Sequence, residues 1–366
     1  MYNALMVKRL DSTLLLRPGD FSPTGAGLKV IGVFNPGAAR VGDDIVLLVR
    51  VAEGCTDAED GYLFSPRAVV KDGTPGYEID RLEIHPDSGA KDHRKPLLID
   101  GRRRLAFVSH LEMVRLAPDG RTVKGITRHL QLLPGTPLEE FGVEDPRITR
   151  IGDTYFITYV TVSGRMGVCT SLMFTKDFQA FERRGIMFPC ENKDVVLFPE
   201  KVDGEYFAFH RPVGRIGISD LAIVGASSPD MVHWGNHELV LGCAREPGWY
   251  HARIGAGTPP IRTEKGWLSI FHGVAKTSPD DPIGEYTAGA LLTALDEPTR
   301  LLAASKQPFF RAEADYELTG YVNSVVFPTG MVRDLNDEDK VLVYYGCADS
   351  CIAVCVFSVS DILSSL

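Results

Sequence analysis

Apolar residues gather in short runs separated by turn residues, and one arrangement of them returns five times along the chain. Each copy reads as an apolar lead, a proline, a polar turn and a strand of aromatic or aliphatic residues. The copies begin at Val33-Phe34-Asn35-Pro36, Val143-Glu144-Asp145-Pro146, Val196-Leu197-Phe198-Pro199, Ala256-Gly257-Thr258-Pro259 and Val326-Phe327-Pro328-Thr329. They run on to residues 46–50, 155–159, 206–211, 267–272 and 341–345. Proline lacks a backbone donor, so it belongs at a strand start or edge. Gly152-Asp153 and Gly204 mark turns between paired strands.

A second unit lies between these copies: an apolar strand, a Ser/Thr/Asp turn, then an outer strand. It is clearest at Ser171-Leu172-Met173-Phe174 with Phe181, and at Ala222-Ile223-Val224-Gly225 with Trp234. Four strands per repeat is the blade of a β-propeller. The pattern therefore predicts an all-β, five-bladed β-propeller. The gap between the first and second copies is about twice the others, which predicts insertions on the first blade. A weak sixth blade is the alternative. The last repeat ends before an outermost strand, while Ser12-Thr13-Leu14-Leu15-Leu16 resembles one. Residues 13–16 are expected to pair with the strand around 352–357 and so close the ring. No long helix-period segment or linker interrupts the pattern, so residues 1–366 read as one domain.

Composition narrows the class. The chain has 366 residues, 44% hydrophobic and 24% charged, with a net charge of -9. That acidic balance argues against a nucleic-acid partner. No apolar run approaches membrane-spanning length, and no signal peptide is visible. Seven cysteines, Cys55, Cys169, Cys190, Cys243, Cys347, Cys351 and Cys355, form no framework spacing. They predict free thiols and a cytoplasmic location. The spacing by four in Cys347, Cys351 and Cys355 is not that of a zinc site, and no metal is expected.

Inner strands of a propeller meet around one axis, so polar residues at like places in the repeats should converge. Those places hold Asn35 and Arg50; Glu144, Asp145 and Arg147; Glu200, Lys201, His210 and Arg211; Thr258 and His272; Thr329, Tyr345 and Asp349. Charges of both signs in one pocket call for a charged or heavily hydroxylated ligand. Taken singly, each residue has a structural alternative: Asn35 as a turn cap, Arg50 and Arg147 as partners of carboxylates, the histidines as satisfied core residues.

Several of these stretches resemble glycoside hydrolase family 130. They are Gly-Val-Glu-Asp-Pro-Arg at 142–147, Leu-Phe-Pro-Glu-Lys at 197–201 with His-Arg-Pro at 210–212, Gly-Ala-Gly-Thr-Pro-Pro at 255–260 with Phe-His-Gly at 271–273, and Tyr-Tyr-Gly-Cys-Ala-Asp at 344–349. The resemblance implies a five-bladed propeller and an inverting phosphorylase or hydrolase of β-mannosides. It makes Asp145 the general acid, its proton reaching the glycosidic oxygen through a sugar hydroxyl. Like-charge repulsion from Glu144 is expected to keep Asp145 protonated near neutral pH. An inverting hydrolase needs a second carboxylate, whereas a phosphorylase needs cations to hold phosphate. Lys201, His210 and Arg211 on one hairpin, with Arg165 approaching from the neighbouring blade, are the expected phosphate ligands. Successive strand residues face opposite sides, so one of His210 and Arg211 is expected to reach the anion, and the bidentate fork favours Arg211. Asn35, Arg50, Glu144, Arg147, His272, Tyr345 and Asp349 are the expected sugar contacts. The lead at 27–35 is similar to the subgroup acting on β-1,2-linked mannosides.

The expectation is thus a phosphorylase cleaving β-1,2-mannobiose or short β-1,2-oligomannosides to α-mannose 1-phosphate. Inorganic phosphate is the co-substrate, and no other cofactor is called for. The alternatives are a β-1,2-mannosidase with Glu200 or another carboxylate as base, and a non-catalytic glycan-binding propeller. Either state, monomer or homo-oligomer, is compatible with the pattern.

Overall fold

The computed structural model describes residues 7–84, 96–99, 101–189, 191–213, 218, 220–276, 278 and 283–366. Strand β1 (Asp11–Leu16) stands apart at the start of the chain and is placed last. Blade I is an antiparallel sheet of β2 (Leu28–Val41), β3 (Asp44–Cys55), β8 (Phe107–Leu116) and β9 (Val123–Thr127). Two hairpins interrupt it between β3 and β8: β4 (Tyr62–Lys71) with β5 (Thr74–Glu83), and β6 (Leu97–Ile99) with β7 (Arg102–Arg104). The doubled spacing is therefore an insertion, with no sixth blade among the described residues. Asp72 and Gly73, both at positive φ, supply the two-residue turn of the first hairpin.

Blade II is β10 (Val143–Ile151), β11 (Thr154–Ser163), β12 (Gly167–Thr175) and β13 (Glu182–Phe188). Blade III is β14 (Asn192–Leu197), β15 (Tyr206–Pro212), β16 (Ala222–Ser228) and β17 (Gly235–Gly242). In blade IV, β18 (Arg253–Ala256) and β19 (Ile261–Thr263) both pair with β20 (Gly266–Ala275), followed by β21 (Glu285–Thr293) and β22 (Leu301–Ala304). Blade V is β23 (Val326–Arg333), β24 (Lys340–Cys347), β25 (Cys351–Ser358) and, outermost, β1. Thr13 pairs with Val354 and Leu14 with Ala353, so the N-terminal strand completes the last blade. The edge of β25 is thereby covered.

The core consists of five apolar layers, one between each pair of adjacent blades. Along β3, Ile45, Leu47 and Val49 pack toward blade V, while Val46 and Leu48 pack toward blade II. Both faces of a blade are buried, so its middle strands read as continuous apolar runs and not as an alternation. Cys347, Cys351 and Cys355 lie in the layer between blades IV and V, as small apolar fillers. The inner strands crowd at the axis. A side chain at Gly257 would strike the carbonyls of Ile270 and Pro328.

Candidate active site at the propeller axis

The inner strands of blades I, II and III are each broken by a β-bulge at the same level. The register shifts between Phe34 and Gly37, between Glu144 and Arg147, and between Lys193 and Val196. Each bulge holds one non-glycine residue at left-handed φ: Asn35 at 50°, Asp145 at 48° and Asp194 at 57°. That conformation re-aims a side chain out of the strand's alternation. All three side chains enter one axial pocket of about 330 Å³. Arg50, Lys193, Arg211, Arg253, His272 and Asp349 join them there, with Phe34, Phe107, Tyr286, Tyr321 and Phe327 as aromatic walls. Its size and its mix of apolar faces with a few aimed polar groups suit a small polar ligand.

Asp145 is held by blade I. Asn35 donates Nδ2 to its Oδ1 at 2.8 Å, and Arg50 donates Nη1 to the same oxygen at 2.9 Å. Among the described residues nothing bonds Oδ2. Arg50 also donates Nη2 to Glu144 at 2.7 Å and Nε to Ser109 at 3.1 Å, and lies over the Phe34 ring. Burial pushes the Asp145 carboxyl up, but the charges of Arg50, Lys193 and Arg147 and the Asn35 hydrogen bond outweigh it. Asp145 therefore sits below the usual carboxylate range and is ionised in the free protein. The expectation that Glu144 keeps it protonated is overturned, because Arg50 bridges the two acids. Asp349 is the carboxyl that behaves the other way. Burial, reinforced by Asp145 and Glu144 and opposed by Arg50 and Lys193, pushes it up to about 6.

Asp194 belongs to the cationic side of the pocket. Arg147 donates Nη2 to its Oδ1 at 3.2 Å, Arg211 donates Nε to its Oδ2 at 2.7 Å, and His272 Nε2 lies 3.7 Å from Oδ2. These neighbours hold Asp194 far below the carboxylate range despite its burial. His272 is pushed down to about 3, by burial first and then by Arg211, Arg147 and Arg253, with Asp194 opposing. It is neutral, and its Nδ1 has no partner among the described residues. The Lys193 ammonium faces Glu144 at 3.7 Å.

Of the residues singled out from the sequence, Asn35, Arg50, Asp145, Arg211, His272 and Asp349 line the pocket. Glu144 and Arg147 are buried behind its wall. Arg147 ties Asp194 to the carbonyls of Asp145, Ala256 and Gly257. Five assignments are corrected. Lys201 is exposed in the β14–β15 turn, its ammonium over the Tyr206 ring. Glu200 beside it pairs with Arg262 on the surface. His210 stacks on Phe188 and bonds Asn192 and His237, and burial pushes it down to about 4. Tyr345 is buried between blades IV and V, where its hydroxyl donates to Glu317. Arg165 lies in the β11–β12 turn and lines a separate cleft with Arg102, Arg103 and Arg104.

Lys193, Asp194, Arg253 and Tyr286 were not foreseen. The signal for two of them was present: in Lys193-Asp194, as in Glu144-Asp145, an aspartate follows a charged residue at the head of a hairpin. Alignment of the third repeat on Val196-Leu197-Phe198-Pro199 slides it several residues toward the far end of the hairpin.

A five-bladed propeller with bulge-borne acids and a bank of cations at its axis is the architectural class that this geometry defines. The model of a family described as β-1,4-mannooligosaccharide phosphorylase matches residues 115–366. The chain belongs to this family, glycoside hydrolase family 130. It is 36% identical over 365 residues to the β-1,2-mannobiose phosphorylase of Listeria innocua, covering 98% of both chains. The structure of that enzyme in complex with β-1,2-mannobiose superposes with a TM-score of 0.87 at 33% identity, over 100% of this chain and 98% of that one. The chain is also 35% identical to a 1,2-β-oligomannan phosphorylase of a Thermoanaerobacter species, over 62% of this chain and 72% of that one. Among the described residues no helix is long and apolar enough to cross a membrane.

Proposed function

We propose that this protein is an inverting phosphorylase that cleaves β-1,2-mannobiose or short β-1,2-oligomannosides with inorganic phosphate, giving α-mannose 1-phosphate and a shortened acceptor. The observation that carries the reading is the division of the pocket. Asp145, with one carboxylate oxygen unbonded among the described residues, stands on blade II. Arg211, Lys193 and Arg253 stand on blades III and IV. Cations that outnumber their partners on one wall suit an anion as the second reactant. The aromatic walls suit the apolar faces of a sugar.

In this reaction a phosphate oxygen bonds the anomeric carbon, the glycosidic carbon–oxygen bond breaks, and the departing oxygen takes a proton relayed from Asp145 through a sugar hydroxyl. Asp145 is ionised in the free protein, so it must gain that proton when the site fills. A phosphate dianion in the same pocket adds like charge, which raises a carboxyl's pKa. Hydrogen phosphate brings the proton that balances the reaction. The preference for β-1,2 linkages rests on the Listeria relative, which matches this chain nearly end to end. We read the chain as a single catalytic domain acting in the cytoplasm without a further cofactor. Phosphate supply and the free thiols of Cys55, Cys243, Cys347, Cys351 and Cys355 favour that location.

Asp349 supports the second reading, a hydrolase. Unlike Asp145 and Asp194, this pocket carboxyl has no ion pair among the described residues, and it replaces Glu200 as the candidate base. Incubation with β-1,2-mannobiose, with and without phosphate, separates the two. Mannose 1-phosphate that forms only with phosphate is the expected product. Free mannose released equally fast without phosphate would make the protein a mannosidase. Cleavage of β-1,4-mannobiose in preference would overturn the linkage.

A further inference from the structure

Below an anion site a carboxylate is an unexpected neighbour, yet Asp194 is placed there with unusual care. Its backbone is held at φ 57° in the blade III bulge, and its side chain is almost wholly buried. Both oxygens are used. Oδ1 takes Arg147, which is anchored below by three carbonyls, and Oδ2 takes the Nε edge of Arg211 and faces His272. Engaging Arg211 through Nε leaves its two Nη groups for the pocket, since a guanidinium presents its donors in a rigid fork. The His272 ring lies beside this junction with Nδ1 buried and unpartnered among the described residues.

A second observation points the same way. Gly255, on the inner strand of blade IV, faces this junction. A Cβ there would collide with Oδ2 of Asp194 and with the His272 ring. Blade IV thus gives up a side chain so that the carboxylate, the guanidinium and the imidazole can meet.

We infer that Asp194 is the positioning residue of the nucleophile half of the site: it aims the Arg211 fork and the His272 ring at the incoming phosphate, and Gly255 provides the space in which it does so. The inference rests on the pocket being a phosphate site, as proposed above. Asp194 touches neither reactant. It acts through Arg211 and His272, and its strong pairing keeps it ionised across the working pH range.

The test is initial-rate phosphorolysis of β-1,2-mannobiose, varying each substrate, for the wild type, Asp194→Asn and Gly255→Ala. Asp194→Asn keeps the shape and removes the charge; Gly255→Ala keeps every charge and displaces the junction. Both are expected to raise KM for phosphate by 10-fold or more while KM for mannobiose moves less than 2-fold. Thermal melting checks that each variant is folded. If Asp194→Asn misfolds, Gly255→Ala carries the test alone. Unchanged phosphate KM in a folded variant, or an equal rise in both KM values, would overturn the assignment. A wild type whose cleavage ignores phosphate would instead sink the phosphorylase reading and this inference with it.

Discussion

Asp145 and Asp194 occupy the same bulge on neighbouring blades, at nearly the same backbone conformation, and both are buried against arginine. They differ in how their oxygens are used. Asn35 and Arg50 converge on a single oxygen of Asp145, whereas Asp194 spends one oxygen on Arg147 and the other on Arg211 and His272. Their sequence neighbours differ too: Asp145 follows Glu144, and Asp194 follows Lys193. A bulge with a buried aspartate is thus a frame and not a function. The partners decide whether the carboxylate can serve a ligand or only hold other groups in place.

The largest effect is expected from breaking the first half of that comparison. Asp145→Asn removes the carboxylate with the open oxygen, so turnover of mannobiose should fall by about 10²–10⁴-fold, the usual cost of a lost general acid. Steady-state kinetics on the unactivated disaccharide measures it, and near-normal turnover would disqualify Asp145.

Asp349 sharpens the same half, because burial first, and then the charges of Asp145 and Glu144, raise its pKa. A carboxyl whose pKa climbs from 3.8 to about 6 on folding takes up a proton on folding. The native state therefore loses stability as pH rises through that window and stays weakened above it. Asp349→Asn should be stabilised by up to about 3 kcal/mol at pH 7, two pKa units' worth, and by little at pH 4. Urea unfolding at both pH values checks this. Equal stability of variant and wild type at pH 7 would mean that Asp349 bears no such burden.

The smallest effects fall on the cations. Arg211→Ala removes a charged donor worth roughly 1.5–3 kcal/mol, so KM for phosphate should rise by roughly 10- to 100-fold. Lys201→Ala, on the exposed turn, should change it by less than about 2-fold, as surface substitutions do. Phosphate titrations of both variants, run side by side, decide whether the cationic wall or the outer turn binds the anion.

The sequence alone determined the architecture. Five returns of one apolar–turn–apolar pattern, and an orphan strand where the last repeat fell short, left a closed five-bladed ring as the consistent solution. Burial on both blade faces wrote itself into residues such as Ile45 to Val49. The sequence also placed Asn35, Arg50, Asp145, Arg211, His272 and Asp349 at the axis, and strand alternation separated Arg211 from His210. Tertiary structure decided the rest, for physical reasons that local pattern does not encode. A bulge re-aims one residue out of the period-two rule, and the one at Lys193-Asp194 lacks the proline that marks those at Asn35 and Asp145. Tyr345 alternates correctly along its strand, but which face meets the pocket and which meets the Glu317 layer depends on how blades IV and V are set. The charge state of Asp145 is fixed by Arg50, 95 residues away along the chain. Coulomb forces act through space, so only the folded ring could show that the guanidinium, and not the adjacent Glu144, governs that carboxylate.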